Sequence, residues 1–561
     1  MALFVDRALA TNPHFSFGDA EAQDVGEICR RLDGIPFALE LAAARINVLT
    51  PHQVAQRLDQ RFRLLSAQNA NALPRHQTMT ALFDWSYDLL TPREQRFFEA
   101  MSTFAGGFTL EAATAVCAIN AEDDVDIIEL IASLVTKSLL VVESSDQEQR
   151  YRLLESSRQY AQSKLVARGE QKKVARRHAL CYLEMAERLD GAWERTPDRE
   201  WLPQANRLLE NLRAALDWTL EKRSDVTLGI RLAALRMMMR RVFPLAEARR
   251  WVRAALALVD DSTPPELARL ELAYATIASQ LGEINEGLTA AERALTRYRE
   301  LNDVFGIAQA QVLAGGRLVI LERFSEAEPL LREALETARR VGDRRLAANA
   351  LRMIGLAQTL VGGFDTARAT LTEAYGLANA VGADFLAASI GASFYSLEYD
   401  AGNVEKALTL ATDTMDIYRE LGRSALSEIP ANLAGVAMSL ITLRRYDEGR
   451  ANAHEALALS RELGIVAMVA ISLGQLAVVT LLEPQLEARS PAAKNAAAEV
   501  LGFVDARLTA LGIPKKYGLP EYDDALQRLR DEIGAKELAK LLAAGATLTE
   551  DEAIAQAGAL E

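Results

Sequence analysis

The chain has 561 residues, enough for several domains at the usual length of roughly 100–200 residues each. Hydrophobic residues make up 50 % of it and charged residues 25 %, but aromatic residues only 6 %, a composition typical of a protein built from closely packed helices. The 77 acidic and 63 basic residues give a net charge of −14, which disfavours wrapping of nucleic acid by the chain as a whole.

Cysteine usage and the N-terminal residues indicate the compartment. Cys29, Cys117 and Cys181 lie far apart and show no CxxC spacing, so we expect reduced thiols. The opening MALFVDRALA contains Asp6 and lacks the apolar core of a signal peptide, and no run of about 18 apolar residues predicts a membrane span. These features predict a cytoplasmic protein that does not bind membranes. The net charge does not exclude a local basic patch.

The first predicted elements are helices followed by a hairpin. Residues 1–72 are predicted to form a helical segment, and TPRE at Thr91 to Glu94 then matches a capped helix start with proline in the first turn. Three helices are predicted to end near Met101, Cys117 and Lys137. SLLVVES and QRYRLLE follow and predict two short strands around a polar turn. Three helices and a β-hairpin predict a winged-helix domain at 73–163.

A repeat of about 40 residues occupies much of the remaining chain. A small residue recurs in an x-Asp/Glu-x-Ala pattern, in steps of 39 to 42, at Ala248, Gly287, Ala327, Ala367, Ala407 and Gly449. A second marker follows each helix, in steps of 40 to 42, at Asn302, Gly342, Gly382, Gly422 and Gly464. Because two unrelated markers share one period, we expect stacked helical hairpins at 246–484, which resemble tetratricopeptide repeats.

Helical segments flank the repeats. Residues 164–245 are predicted as a helical linker that includes the first solenoid helices, with ENLRAALDWTL as its clearest amphipathic stretch. Residues 485–561 are predicted as a C-terminal helical cap. The predicted fold class is therefore mainly α: an α-solenoid of TPR-like helical hairpins, preceded by a helical segment and a small winged-helix domain.

The N-terminal third resembles a known family. DVGEICRRLDGIPFALELAAARINVLTPHQVAQRLDQRFRLL, RHQTMTALFDWSYDLLTPREQRFFEAMSTFAGGFTLEAATAVCA and YRLLESSRQYA are similar to the helical ARC-like and winged-helix parts of bacterial NB-ARC-type (STAND) regulatory ATPases. Helical repeats and a tail are the usual continuation in that family, so the resemblance covers essentially the whole chain. It implies a signal-transduction protein in which 1–72 is the remnant of the ATPase module.

The family's nucleotide-binding residues are incomplete in this chain. Its Gly-x-Pro motif matches Gly34 and Pro36, and the resemblance implies an adenine contact by Pro36; a Gly-Pro turn between two helices is the alternative. No GxxxxGK[ST] sequence, which would hold phosphates and magnesium, occurs. The family's Met-His-Asp motif matches Leu153, Leu154 and Glu155, and the side chain of Leu154 cannot hydrogen-bond a phosphate.

We therefore expect no enzyme activity and no bound cofactor, with ADP or ATP held only if the missing domain is supplied. The chain starts where the nucleotide-binding domain of the family would be ending. A truncated gene product, a misplaced start and a natural form without its motor domain are all left open.

Other chemistry is not indicated by the residues. The predicted recognition segment of the winged helix, Ala121 to Leu140, carries five acidic residues against the single Lys137, the wrong sign for a DNA groove. The five histidines are scattered and no HExxH occurs, so we expect no metal site. No Gly-x-Ser-x-Gly elbow surrounds Ser156-Ser157, and we expect no catalytic residues.

The repeats supply the predicted binding surface. In such arrays the first helix of each pair lines a concave groove, where a protein, a peptide or a small inducer binds. Helical phase places five candidates on it: Asn349, Arg352, Tyr395, Tyr399 and Asn432. Packing between repeats is an equal alternative for the two tyrosines.

The sequence predicts a signal-sensing, protein-binding scaffold, the sensor and relay half of a STAND-type transcriptional regulator. Two alternatives stay open. One is a residual ADP- or ATP-binding regulator that works with a separate or missing NTPase domain. The other is a transcription regulator that binds DNA through the winged helix.

Overall fold

A computed structural model gives the structure of the protein at residues 1–12, 15–32, 36–58, 82–117, 124–144, 149–259, 264–483, 490–514, 519 and 521–560. The chain divides into two compact units. Unit 1 comprises Met1–Met185 and Glu210–Leu228, and unit 2 comprises Ala186–Leu209 and Gly229–Glu561. The predicted segment boundaries at 72/73 and 484/485 lie outside the described residues.

The part of the chain ahead of the repeats is helical, with one hairpin. In chain order its helices are Ala2–Thr11, Asp19–Arg31, Pro36–Ala43, Pro92–Met101, Leu110–Cys117, Asp124–Thr136, Glu155–Arg168, Gln171–Ala192, Asp198–Asn206, Leu209–Leu216, Val226–Ala233, Arg236–Arg241 and Leu245–Leu256. Residues 51–58 and 82–88 are also helical. Short 3₁₀ turns lie at Ala44–Asn47 and Trp193–Arg195.

The predicted helix start at Thr91 is present. Thr91 Oγ1 accepts a hydrogen bond from the Glu94 amide at 3.3 Å, and Glu94 Oε2 accepts one from the Thr91 amide at 2.7 Å. Glu94 Oε1 also accepts hydrogen bonds from Ser133 and Lys137. Burial alone would raise the pKa of Glu94, but these hydrogen bonds outweigh it and hold that pKa at about 2. Lys137 is therefore engaged in an ion pair within unit 1.

The two predicted strands form an antiparallel hairpin. Val141–Ser144 (β1) pairs with Gln149–Arg152 (β2), with Val142 opposite Tyr151. Phe108 and Tyr151 exchange two backbone hydrogen bonds of 2.8 Å, which attach the turn after the helix Pro92–Met101 to the hairpin. Three helices and a hairpin thus follow one another in the predicted order.

Unit 2 contains a stack of helical hairpins. The first helices of successive hairpins are Pro264–Gln280, Val304–Ile320, Arg344–Leu360, Asp384–Asp400 and Ile429–Thr442. The second helices are Ile284–Glu300, Phe324–Val341, Phe364–Asn379, Val404–Leu421 and Tyr446–Leu463. The stack continues with Val466–Leu482, Pro491–Leu511, Tyr522–Ile533, Ala535–Gly545 and Glu550–Ala557. The fold is mainly α, with a solenoid of TPR-like hairpins, as predicted.

Both sequence markers have a structural role. The residues of the second marker, from Asn302 to Gly464, all have positive φ, between 54° and 76°, and each follows the second helix of a hairpin. This left-handed conformation favours glycine or asparagine, which explains the residue types. Ala327, Ala367 and Ala407 of the first marker are almost fully buried. Small residues there let the two helices of a hairpin pack closely.

Among the helices of the described residues, none combines the length and the apolar character of a membrane span.

Candidate ligand-binding site

Four successive first helices of unit 2 contribute side chains to one cavity. These are the helices that begin at Pro264, Val304, Arg344 and Asp384, and each contacts the next one directly. The short helix Arg236–Arg241 and the turn Trp193–Arg195 complete the lining. The cavity therefore depends on the repeats and on segments that precede them.

The cavity is small and strongly basic. Its volume is about 150 Å³, the volume of a cavity that holds a molecule as large as benzene. Its lining includes six arginines, namely Arg236, Arg240, Arg241, Arg317, Arg345 and Arg352. Glu194 is the acidic residue of the lining. In a chain of net charge −14, this concentration of basic groups is a local feature that the composition conceals.

One arginine of the cavity is held by a fully buried ion pair. Arg345 Nη1 lies 2.7 Å from Asp198 Oδ1, and Arg345 Nη2 donates to Thr196 O at 2.6 Å. The other carboxylate oxygen of Asp198 accepts the backbone amide of Phe385 at 2.9 Å. The pair therefore fixes the segment around Thr196 to the first helices of two successive hairpins, because low-dielectric surroundings strengthen such contacts.

Two further arginines have looser carboxylate partners. Arg241 Nη1 lies 3.7 Å from Glu428 Oε1, and Arg236 Nη2 lies 3.8 Å from Glu194 Oε1. The guanidinium of Arg241 also stacks on the ring of Phe385, with its Cζ 3.8 Å from the ring centroid. Three of the six guanidinium groups thus have a carboxylate partner within 4.0 Å.

The remaining three arginines, Arg240, Arg317 and Arg352, have no carboxylate partner at that distance in the part of the chain that the structure describes. Nε of Arg240 and Nε of Arg317 are buried without a hydrogen-bond acceptor among the described residues. Arg352 donates from Nε and Nη2 to Asn349 Oδ1 at 3.3 and 3.2 Å. An amide oxygen orients this guanidinium but does not neutralise it.

Burial and mutual repulsion act on the titration of these groups. Burial, followed by repulsion from Arg352, lowers the pKa of Arg317 to about 10. Burial also lowers the pKa of Arg352 and, with repulsion from Arg241, that of Arg240 well below its usual value. In all three cases the loss of water outweighs the attraction of Glu428, which acts in the opposite direction.

Glu194 titrates in the physiological range. Burial, followed by repulsion from Asp343, raises its pKa to about 7, although Arg236 and Arg345 oppose the shift. Glu194 Oε1 also accepts a hydrogen bond from Gln309 at 3.4 Å. Below pH 7 this carboxyl is mostly neutral, so the positive charge of the cavity is then largest.

The predicted groove residues fall into two groups. Asn349 and Arg352 line the cavity. Tyr395 is buried and donates to Gly435 O at 2.9 Å, the Tyr399 hydroxyl lies 2.7 Å from Thr442 Oγ1, and Asn432 is buried and donates to Ala411 O. These contacts join neighbouring elements of the stack, which favours the packing alternative for the tyrosines. A role for these three residues in partner binding stays a prediction.

Of the six arginines, only Arg352 is predicted from the sequence. The helix Arg236–Arg241 reads RMMMRR and lies ahead of the predicted repeats. Its three methionines and Arg241 are buried, whereas Arg236 and Arg240 are partly exposed. Basic residues on both sides of a short apolar run were the available signal.

The residues matched to nucleotide binding lie elsewhere, in unit 1. Gly34 lies outside the described residues, and Pro36 is the exposed first residue of the helix Pro36–Ala43. Leu153 is buried, and Glu155 forms an ion pair with Arg158 at 2.8 Å. An adenine contact by Gly34 and Pro36 stays a prediction.

Comparison with a protein family identifies the repeats. Residues 306–380 match the family model of the tetratricopeptide repeat. The match covers the second and third hairpins almost completely, including two first helices that line the cavity.

Comparison with curated proteins gives relatives in mycobacteria. The chain is 31 % identical over 475 residues to proteins of Mycobacterium tuberculosis and Mycobacterium bovis named as candidate HTH-type transcriptional regulators, which covers 82 % of this chain and 52 % of each relative. It is also 44 % identical over 178 residues to an uncharacterised protein of M. tuberculosis, covering 31 % of this chain and 45 % of that one. The chain thus spans about half the length of the curated relatives it matches.

Solved structures of similar architecture are more distant. One is a STAND protein with a tetratricopeptide repeat sensor from Pyrococcus horikoshii, with a TM-score of 0.45 and 15 % identity, covering 86 % of this chain and 74 % of that one. Another is a Rap protein complexed with competence and sporulation factor, with a TM-score of 0.44 and 12 % identity, covering 65 % of this chain and 99 % of that one. Likenesses this distant carry no argument about function. The chain is thus a mainly helical protein with tetratricopeptide repeats and sequence similarity to candidate transcriptional regulators.

Proposed function

We propose that this chain is the sensor and relay part of a transcriptional regulator, which binds an inducer or partner through its repeats and catalyses no reaction. The observation that carries the proposal is the polar cavity lined by the first helices of four hairpins. Tetratricopeptide arrays bind partners and ligands on these helices. The similarity to candidate HTH-type regulators over 82 % of the chain supports a role in transcription.

We assign the relay to the N-terminal unit. The helices Pro92–Met101, Leu110–Cys117 and Asp124–Thr136, followed by the β1–β2 hairpin, have the order of a winged-helix domain. In the regulatory ATPases that the sequence resembles, this domain acts as an intramolecular hinge. The engagement of Lys137 by Glu94 supports a hinge over a DNA reader, because it occupies the single basic residue of the predicted recognition segment.

We propose that the chain works without a nucleotide of its own. The sequence contains no GxxxxGK[ST], and Leu154 offers no side-chain hydrogen bond to a phosphate. Both features support a binding role over hydrolysis.

Calorimetric titration of the full chain with ADP and with ATP, each with Mg²⁺, tests this proposal, together with an ATP hydrolysis assay. We expect no micromolar binding of either nucleotide through unit 1 and no hydrolysis above the buffer rate. Because the basic cavity could attract nucleotide phosphates, the titration is repeated with Arg317→Met and with Pro36→Ala. ADP binding that persists in Arg317→Met and is lost in Pro36→Ala would contradict the proposal in favour of the residual nucleotide binder.

Sensing itself is tested by screening small metabolites and peptides for compounds that raise the Tm of the full chain. A ligand that binds the native state raises Tm, and the rise grows with the logarithm of the ligand concentration above its Kd. We expect such a compound to lose its effect when Asn349 or Arg352 is changed to alanine. A compound that stabilises both variants as well as the unmodified chain would place the sensor outside the cavity.

A further inference from the structure

Within the described part of the chain, three arginines of the cavity lack a close counter-charge. Arg240, Arg317 and Arg352 are partly exposed, but the Nε atoms of Arg240 and Arg317 are buried without an acceptor among the described residues. Removing such a charged group from water is unfavourable unless it gains a partner. The protein does supply carboxylates where it needs structural ion pairs, as at Arg345 and Asp198. Their absence around Arg240, Arg317 and Arg352, among the described residues, therefore points to a ligand.

We propose that this cavity binds a compact anionic head group with two or more negative charges, a phosphate or a small polycarboxylate, through Arg240, Arg317 and Arg352. The inference rests on the proposed function and deepens it, since it names the chemical class of the inducer.

The arginines are arranged as two sets with different roles. Arg345 is fixed by its ion pair with Asp198, and its Cζ lies 4.4 Å from the centroid of the Trp193 ring. Arg241 stacks on Phe385, but its contact with Glu428 is loose and its Nε and Nη1 are buried without an acceptor among the described residues. The unpaired arginines lie within the same lining and keep donors free, and Asn349 orients the fork of Arg352 in advance. Planar forks with free donors suit the bidentate recognition of phosphate and carboxylate oxygens.

The dimensions limit the ligand to a small head group. A volume of about 150 Å³ holds a phosphate or a compact acid, but not a whole nucleotide. A cleft of about 530 Å³ adjoins the cavity and shares Glu194, Arg236, Met237, Leu272 and Gln309 with it. An organic ligand can therefore place its anionic end among the arginines and the remainder in the cleft.

Titration calorimetry of the full chain with inorganic phosphate and with citrate tests the proposal, with sodium chloride at the same ionic strength as the reference. The two anions distinguish a phosphate head group from a polycarboxylate one. We expect saturable binding of at least one of them. Arg317→Met and Arg240→Met should weaken it by about tenfold to a hundredfold, the range for loss of a charged hydrogen bond.

Arg332→Met serves as the matched control, because Arg332 is an exposed arginine on a second helix, paired with Glu328. It should bind the anion as the unmodified chain does. Circular dichroism verifies that each variant is folded, and methionine is chosen because it keeps the volume of the side chain. The proposal is overturned if neither anion produces more than the chloride reference, or if Arg317→Met and Arg332→Met bind equally well.

Failure of this inference and failure of the proposed function give different results. If anions do not bind but a neutral compound stabilises the chain in an Asn349-dependent way, the regulatory role stands and the assigned ligand class is wrong. If the anion binds in the cavity while the chain hydrolyses ATP, the ligand class stands and the non-catalytic role is wrong.

Discussion

Within one cavity, a buried arginine and a partly exposed one meet opposite electrostatic surroundings. Arg345 is 5 % exposed and bonded to the fully buried Asp198, whereas Arg317 has no carboxylate partner in the described residues. Removing one partner of a buried ion pair leaves the other charge unpaired, which destabilises the protein. Removing an unpaired charge also removes the unfavourable desolvation free energy of that charge. The two positions should therefore respond in opposite directions to the same substitution.

We predict that Arg345→Met lowers the free energy of unfolding by about 3–5 kcal/mol, since Asp198 is then left unpaired. Arg317→Met should leave that free energy unchanged or raise it in the absence of ligand. Urea denaturation followed by circular dichroism measures both. If Arg317→Met is as destabilising as Arg345→Met, Arg317 has a structural role and not a ligand-binding one.

The raised pKa of Glu194 gives the cavity a pH dependence. A carboxyl whose pKa is about 7 is mostly neutral at pH 6 and mostly ionised at pH 8, where it repels an anion. The charged and polar groups around it are Asp343, Asp190, Arg236, Arg345 and Gln309. Of these groups, the carboxylates raise its pKa and the arginines lower it.

Sulfate is the suitable probe, because its charge stays constant across this range. We expect the affinity for sulfate to fall by roughly tenfold between pH 6 and pH 8, as expected for one added unit charge nearby. Glu194→Gln should bind sulfate at pH 8 about as well as the unmodified chain does at pH 6. Calorimetry at the two pH values measures this, and an equally steep fall in Glu194→Gln would assign the effect to another group.

At the scale of the element, two helices after the repeats approach each other at glycines. A Cβ added at Gly545 would lie 1.9 Å from the carbonyl oxygen of Glu499, and one added at Gly502 would lie 2.2 Å from that of Leu542. The helices Pro491–Leu511 and Ala535–Gly545 thus pack backbone against backbone. Backbone atoms cannot move aside as a flexible side chain would.

We predict that Gly545→Ala lowers the free energy of unfolding by about 1–3 kcal/mol through overpacking. Gly376→Ala is the matched control, because Gly376 is also helical and its added Cβ would meet nothing within 4 Å. There the better helix propensity of alanine should stabilise the protein by about 0.5–1 kcal/mol. Thermal unfolding of the two variants compares them. Equal destabilisation by both would contradict the close approach.

The repeats could be predicted from the sequence because their period is carried by residue types with a local cause. Left-handed backbone after each second helix selects glycine or asparagine, which are visible in the sequence. A further left-handed position ends each first helix, at Gly282, Glu322, Gly362, Gly402 and Arg444. Two of these five are charged residues. Residue type alone therefore does not reveal this third marker, although it has the same period.

Across the whole molecule, only the part of the binding cavity that lies on a repeat helix could be predicted from the sequence. Helical phase selects Asn349 and Arg352 because both lie on one repeat helix. The cavity also brings distant segments together. The ion pair between Arg345 and Asp198 joins residues 147 positions apart, and Arg240 comes from a helix ahead of the repeats. No local sequence pattern encodes that association. The division into two units could not be predicted from the sequence either, because the chain passes from unit 2 at Ala186–Leu209 back to unit 1 at Glu210–Leu228.

A sensor of the proposed kind holds its ligand in unit 2. Hydrogen exchange of the full chain, measured by mass spectrometry with and without a saturating concentration of the bound anion, locates the ligand. We expect slower exchange in Arg236–Arg241 and Arg344–Leu360, the segments that carry Arg240 and Arg352. If both segments exchange at an unchanged rate and Pro36–Ala43 is protected instead, the ligand site does not lie in the cavity.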